Sequence, residues 1–256
     1  MTVPKDHPRY RSLVTREKLA DMVGRGIVSP TGLISHGRGE AFDYLMGERS
    51  IVPALGSEKA AAAFLLNASR PVVCVNGNAA ALGAKVLIEV AEEVNARIEV
   101  NIFHRTEERM NLIIGHMESE GATEVLGRGP DARIPGLTSD RALCTKEGIF
   151  DSDVILVPIE DGDRAEALVA MGKTVISIDL NPLSRTSRMA TVSISDEMNR
   201  ALANIKSFAR ELKGQKTQIT EIIKDYDNRA VRRDTLMSIC KALMAEFEED
   251  EENGRT

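Results

Sequence analysis

The 256-residue chain is 43% hydrophobic and 28% charged, enough apolar content for one large doubly layered domain or a domain with a small appendage. Its 39 acidic and 33 basic side chains give a formal net charge of -6, which argues against a general affinity for nucleic acid or an anionic membrane but permits a local basic pocket. Three cysteines without close Cys/His spacing argue against a disulfide scaffold or zinc cluster, and no apolar run approaches the roughly 20 residues that span a bilayer, so a soluble cytoplasmic protein is expected.

Thr15-Arg16-Glu17-Lys18 predicts a helix to Val23, closed by Gly24 and Gly26. Ile27 to Glu48 reads as a flexible His36-Gly37-Arg38-Gly39-Glu40 centre with an amphipathic helical stretch over Ala41 to Met46, and alanine-rich Glu58 to Asn67 predicts a helix. From Pro71 the pattern changes. Val72 to Val75 is a short buried strand ending in Asn76-Gly77-Asn78, followed by a helix over Ala79 to Glu93. Arg97 to Phe103 is a second strand, ending in His104-Arg105-Thr106-Glu107-Glu108-Arg109 and a helix to about Gly121, and Glu124 to Leu126 is a candidate third strand. Gly127 to Gly148 reads as an irregular connection, either an active-site flap or a subunit contact. Asp153 to Pro158 and Lys173 to Asp179 are further strands, with a helix to Met171 between them. Ala190 to Ile194 is a last strand, and Glu197 to Leu212 a helix.

Strands alternating with helices predict an α/β fold with a mainly parallel sheet flanked by helices, plus additional N-terminal and C-terminal helices. The expected division is a domain over 1–213, a helical extension over 214–247 interrupted near Asp225 to Asn228, and a disordered acidic tail over 248–256.

Ligands of parallel sheets bind outside the carboxyl ends of the strands, where this chain repeatedly places polar, glycine-containing segments. No GxGxxG or GxxxxGK[ST] occurs. Asn76-Gly77-Asn78 has two readings, a plain turn or backbone amides offered to a carboxylate or phosphate. In His36-Gly37-Arg38-Gly39-Glu40 the glycines permit close approach, and the guanidinium suits phosphate oxygens; a surface salt bridge is the alternative, as it is for Arg16. Arg105 with Thr106 suits an anionic substrate and His104 a proton relay, against the plainer reading of a solvated helix face. Asp161 and Asp163 in Glu160-Asp161-Gly162-Asp163-Arg164 suit Mg²⁺ through water or an incoming ammonium, with helix capping as the competitor. Asp179, followed by Asn181, Arg185 and Thr186, suits ribose and phosphate contacts. Cys74, between valines, reads as a core side chain rather than a nucleophile.

HPRYRSLVTREKL, GLISHGRGEAFDYLMGE, RPVVCVNGNAAAL, IEVNIFHRTEER, VILVPIEDGDRAEALV and ISIDLNPLSRTSRMATVSI together resemble the archaeal ATP-dependent 4-phosphopantoate–beta-alanine ligases, from about His7 to Leu212. The resemblance implies a Rossmann-like homodimer that joins 4-phosphopantoate to beta-alanine with ATP and Mg²⁺, releasing AMP and diphosphate. It implies ATP contacts at Arg16, Arg38, Asp179, Leu180, Asn181, Arg185, Thr186, Glu197, Met198 and Asn199, the last three standing where the family pattern is closer to Asn-Val-Thr. Substrate contacts are expected at Asn76, Gly77, Asn78, Asn101, His104 and Arg105, and catalytic roles at Arg38, Arg105, Asp161 and Asp163. A nucleotide-binding oxidoreductase or regulatory module, or a non-catalytic dimerising scaffold, are the competing readings.

Overall fold

The computed structural model describes residues 4–7 and 9–252. Helices α1 (Tyr10–Gly24), α2 (Pro30–Leu45) and α3 (Val52–Asn67) precede β1 (Pro71–Val75), α4 (Gly77–Glu93), β2 (Arg97–Val100) and α5 (Glu107–Ser119). A hairpin of β3 (Ala132–Arg133) and β4 (Leu143–Cys144) leads to β5 (Val154–Pro158), α6 (Gly162–Ala170), β6 (Thr174–Ile178), α7 (Arg185–Met189) and β7 (Val192–Ile194). Helices α8 (Met198–Leu212), α9 (Lys216–Asp225) and α10 (Asn228–Glu252) follow.

The sheet has the order β2-β1-β5-β6-β7 with every neighbouring pair parallel. With the hairpin set aside this is the 2-1-3-4-5 order of a doubly wound sheet, so the expected Rossmann-like α/β class holds. Strand alternation sorts the side chains into two cores. Val73, Val75, Leu156, Ile176 and Ile178 pack with Leu19, Leu65, Leu87, Ile113 and Ile205 from α1, α3, α4, α5 and α8. On the opposite face Val72, Cys74, Ile155, Val157 and Val175 meet Leu168 of α6 and Ile134 and Ile149 from the hairpin segment. Chain order reverses between β1 and β5, so a crevice opens at the carboxyl ends of those two strands.

Several local expectations are corrected. The segment around Arg38 is not a loop but part of α2, because Ser29 accepts from the Gly32 amide as N-cap and Pro30 starts the first turn. Its glycines serve close approach: a Cβ on Gly32 would lie 2.3 Å from Asn78 Oδ1, and one on Gly39 would lie 3.3 Å from Leu180. The second strand stops at Val100, and Leu126 contributes an isolated parallel bridge to Glu99 instead of a strand. Arg185 and Thr186 open the short helix α7, capped by Ser184 accepting from the Ser187 amide.

The long connection after Gly127 is pinned rather than free. Buried Glu99 accepts from the Thr145 amide at 2.8 Å, the Thr145 hydroxyl at 2.9 Å and the Ile149 amide at 2.7 Å. At the other sheet edge, Asn228 Oδ1 accepts from the Ser193 amide of β7 at 2.9 Å, while its amide nitrogen donates to Ser187 O and Ala190 O. Residues at the α9–α10 junction thereby cover an edge strand. Helix α10 is described through Glu252. Residues 253–256 lie outside the described residues.

Candidate functional site

A cavity of about 550 Å³ occupies the crevice at the strand ends. The sheet order fixes its layout. The end of β2 supplies Phe103 and His104, β1 leads into Asn76-Gly77-Asn78, and β5 leads into Ile159, Glu160 and Asp161. On the far side β6 leads into Asp179 and Leu180, and β7 into Asp196, Glu197 and Met198. Helix α2 closes the opening with Ser35, His36, Arg38 and Gly39. Ile159, a β-branched residue at φ 53°, holds strained backbone at the cavity wall.

Of the side chains expected from the sequence, the cavity gathers Arg38, Asn76, Gly77, Asn78, His104, Asp161, Asp179, Leu180, Glu197 and Met198. Arg16, Asn101, Arg105, Asp163, Asn181, Arg185, Thr186 and Asn199 are not in its lining. Each of these except Asp163 has a partner that accounts for its position. Arg16 pairs with Glu40 at 3.2 Å, Arg185 with Glu166, and Arg105 donates to Gly127 O. Thr186 donates to Glu160 O at 2.7 Å, and Asn181 Oδ1 accepts from the Leu183 amide. Asn199 donates to Glu197, and Asn101 donates to Arg141 O and Leu143 O. Asp163 sits in the first turn of α6, exposed.

Hydrogen bonds also qualify the lining residues. Asn76 caps α4 by accepting from the Ala79 amide and donates to Pro158 O and Ile159 O, which ties the two strand ends at the reversal point. Asn78 donates to Gly32 O, joining α4 to α2. Glu197 caps α8 through the amides of Asn199 and Arg200; burial still pushes its carboxyl up. Burial likewise raises the Asp179 carboxyl, and the Arg38 charge acts against that rise across the cavity. No carboxylate pairs with Arg38 among the described residues.

Sequence reasoning missed Arg141 and Arg109 and did not foresee the role of Glu160. Glu160, 1% exposed at the side chain, bridges Arg141 and Arg164. Arg141 also reaches Asp161 at 3.0 Å, and both Arg164 terminal nitrogens lie 3.4 Å from Cys74 Sγ. Cys74 is thus the core side chain expected. The single available signal was Arg164 four residues after Glu160 on a helix start; nothing in the spacing places Arg141, which arrives from the hairpin segment.

A second polar network fixes α2 over the cavity. Arg200 of α8 pairs with Asp43 of α2 and with Asp196, to which Ser50 donates. Asn204 donates to Ser50 and, at 2.9 Å, to fully buried Glu58. Burial and neighbouring Asp196 push the Glu58 carboxyl up to about 9. It is therefore protonated in the fold at neutral pH but ionised in the unfolded chain, so its contribution falls as pH rises from about 4.5 towards 9. The slope is at most about 1.4 kcal/mol per pH unit. Glu58→Gln keeps the shape and cannot ionise. Melting curves between pH 6 and 9 are expected to fall less steeply for the variant than for the parent; parallel curves would mean that Glu58 does not titrate as described.

Among the described residues, no three metal-ligating side chains converge, and no helix is long and apolar enough to cross a membrane. The phosphopantothenate/pantothenate synthetase family model matches residues 53–242. A 4-phosphopantoate–beta-alanine ligase of Methanosarcina mazei is 53% identical over 242 residues, 94% of this chain and 95% of the relative. The ligase of the same name from Methanospirillum hungatei is 51% identical, covering 94% of this chain and 98% of its own length. That from Thermococcus kodakarensis is 47% identical over 97% of this chain and 96% of its own. The match runs past Gly214 into α10, further than the sequence motifs alone reach.

Proposed function

The chain belongs to the phosphopantothenate/pantothenate synthetase family, and from that premise we propose that it is an ATP-dependent ligase joining 4-phosphopantoate to beta-alanine. The observation that carries the reading is one cavity at the chain reversal that is lined by Arg38 and Asp179 and also by Arg109 and by Arg141 beside Glu160 and Asp161. Arg38 supplies fixed positive charge to the nucleotide phosphates, and Gly39 lets α2 come within contact of Leu180 beside them.

A carboxylate has no usable leaving group. In the first step a pantoate carboxylate oxygen bonds to the α-phosphorus of ATP as the bond to diphosphate breaks, and the Arg38 guanidinium follows the negative charge that develops. In the second, the neutral amine of beta-alanine attacks the acyl carbon and AMP leaves. The surplus amine proton passes to a carboxylate facing the cavity, for which exposed Asp161 is placed. Asp179 would fit Mg²⁺ carried in on the nucleotide, because that ion uses one or two carboxylates together with substrate phosphates; when bound it would neutralise phosphate charge.

A homodimer in the cytoplasm completes the proposal. Val52 at 81% and Ile34 at 67% exposure leave apolar side chains on α3 and α2 for a second copy to cover. Incubation with all three substrates and chromatography of the nucleotides tests the reaction. Continued AMP release that needs both acyl and amine substrates, with one diphosphate per AMP, is the expected result; stoichiometric ADP and orthophosphate would reject it.

A further inference from the structure

Helix α2 carries Ser35, His36, Arg38 and Gly39 over the cavity, yet little apolar contact anchors it. Leu33, Ile34, Tyr44 and Leu45 are exposed; Met46 just past the helix end is buried, but the buried residue within the helix is a carboxylate, Asp43. Apolar contact is non-directional, so a helix seated on it can slide by small amounts, whereas charge-assisted hydrogen bonds fix both distance and angle. What holds Asp43 therefore sets where the helix lies.

Arg200 of α8 holds it. The guanidinium forks onto Asp43, Nη1 donating to Oδ2 at 3.2 Å and Nη2 to Oδ1. Its Nε donates to Asp196 Oδ1 at 2.9 Å, and Nη2 reaches the same oxygen at 2.6 Å. Asp196 is itself buried and fixed, accepting from the Glu197 amide at 2.7 Å and from the Ser50 hydroxyl. Burial opposes the charge on Arg200, but Asp43 and Asp196 outweigh it and push the guanidinium above its ordinary range. The result is a strut that runs from the end of β7 through α8 to α2.

Arg38 sits between two clamps. On its N-terminal side Asn78 Nδ2 donates to Gly32 O at 2.9 Å, and on its C-terminal side stands Asp43. Between them Glu40 accepts from Ser12 at 2.9 Å and from Arg16 at 3.2 Å, both on α1. At about 1.5 Å rise per residue, Asp43 lies roughly 7.5 Å along the helix axis from Arg38, and the turn of about 100° per residue puts the two side chains on different faces. One meets α8 and the other lines the cavity. A rigid helix turns any release of Asp43 into a displacement of Arg38. Resting on the ligase reading above, we propose that Asp43 and Arg200 are positioning residues that set the height and direction of the Arg38 guanidinium against the nucleotide phosphates, without touching substrate themselves.

Asp43→Asn tests this, because Arg200 keeps Asp196 as its partner and the fold should survive. Misplacing a catalytic group by about 1 Å can cost on the order of 100-fold, so kcat/KM for ATP is expected to fall about 10- to 100-fold. In an Arg38→Ala background the same substitution should cost less than about threefold, since the side chain it positions is gone. Hydrogen exchange of the α2 amides should quicken about tenfold or more in Asp43→Asn, while β1 and α4 exchange as in the parent. Arg200→Lys, which keeps the charge beside Asp196 but lacks the fork, should show the same coupling to Arg38, with thermal melts confirming the fold of each variant. Parental kcat/KM in folded Asp43→Asn would overturn the assignment. So would a full further loss in the Arg38→Ala background, which would make the strut a general support, and so would unchanged exchange in α2. A parent enzyme that makes no phosphopantothenate would instead overturn the ligase reading beneath it, and the exchange comparison would still decide for or against the strut.

Discussion

Arg38→Ala is expected to lower kcat/KM for both ATP and 4-phosphopantoate by about 30- to 1000-fold, the loss of 2 to 4 kcal/mol of transition-state stabilisation typical of one fixed charge donor. Arg38 projects from α2 into the cavity and makes no ion pair with a carboxylate among the described residues, so its removal disturbs little of the fold. Arg38→Lys keeps the charge without the planar two-donor fork and is expected to fall between parent and alanine. Arg25, exposed at the end of α1, is the control whose alanine variant should behave as the parent. Steady-state kinetics with melting curves decide the matter: a folded Arg38→Ala enzyme with parental kcat/KM would return Arg38 to the surface.

Glu160→Ala acts on the fold as well as the site. With the carboxylate gone, buried Arg164 retains only weak contact with Cys74, and Arg141 keeps Asp161. Two buried guanidinium groups then face each other with too little negative charge. Breaking a buried pair in this way costs about 3 to 5 kcal/mol. For a chain of this length that corresponds to a fall in Tm of roughly 6 to 20 °C. Glu160→Gln preserves volume but not charge and should fall almost as far. A Tm within about 1 °C of the parent for either variant would mean that the lattice adds no net stability.

The strands, their parallel order and the crevice were legible because buried five-residue apolar runs separated by helical periods leave few topologies. Local polarity was the poorer guide. Asn76, Thr106 and Glu197 all look like ligand donors in the sequence, yet each caps the helix that follows it. At the carboxyl ends of parallel strands the same residue types serve both purposes, and spacing does not separate them. Arg38 was legible from its flanking glycines, although both lie within helix α2, where Gly39 packs against Leu180 and a Cβ on Gly37 would meet nothing within 4 Å. Arg141 was illegible for another reason. It reaches the cavity from an irregular segment that is positioned by Glu99 and Asn101, contacts across more than 40 residues of chain that no local pattern encodes.

The most direct test of the proposed chemistry follows the carboxylate oxygen. 4-Phosphopantoate labelled with oxygen-18 in its carboxylate, turned over with ATP and beta-alanine, should deliver one labelled oxygen to AMP, because that oxygen bonds to the α-phosphorus and leaves with it. Mass spectrometry of the products reads this without ambiguity. Label appearing in orthophosphate, with AMP unlabelled, would contradict adenylation and with it the roles assigned to Arg38 and the cavity.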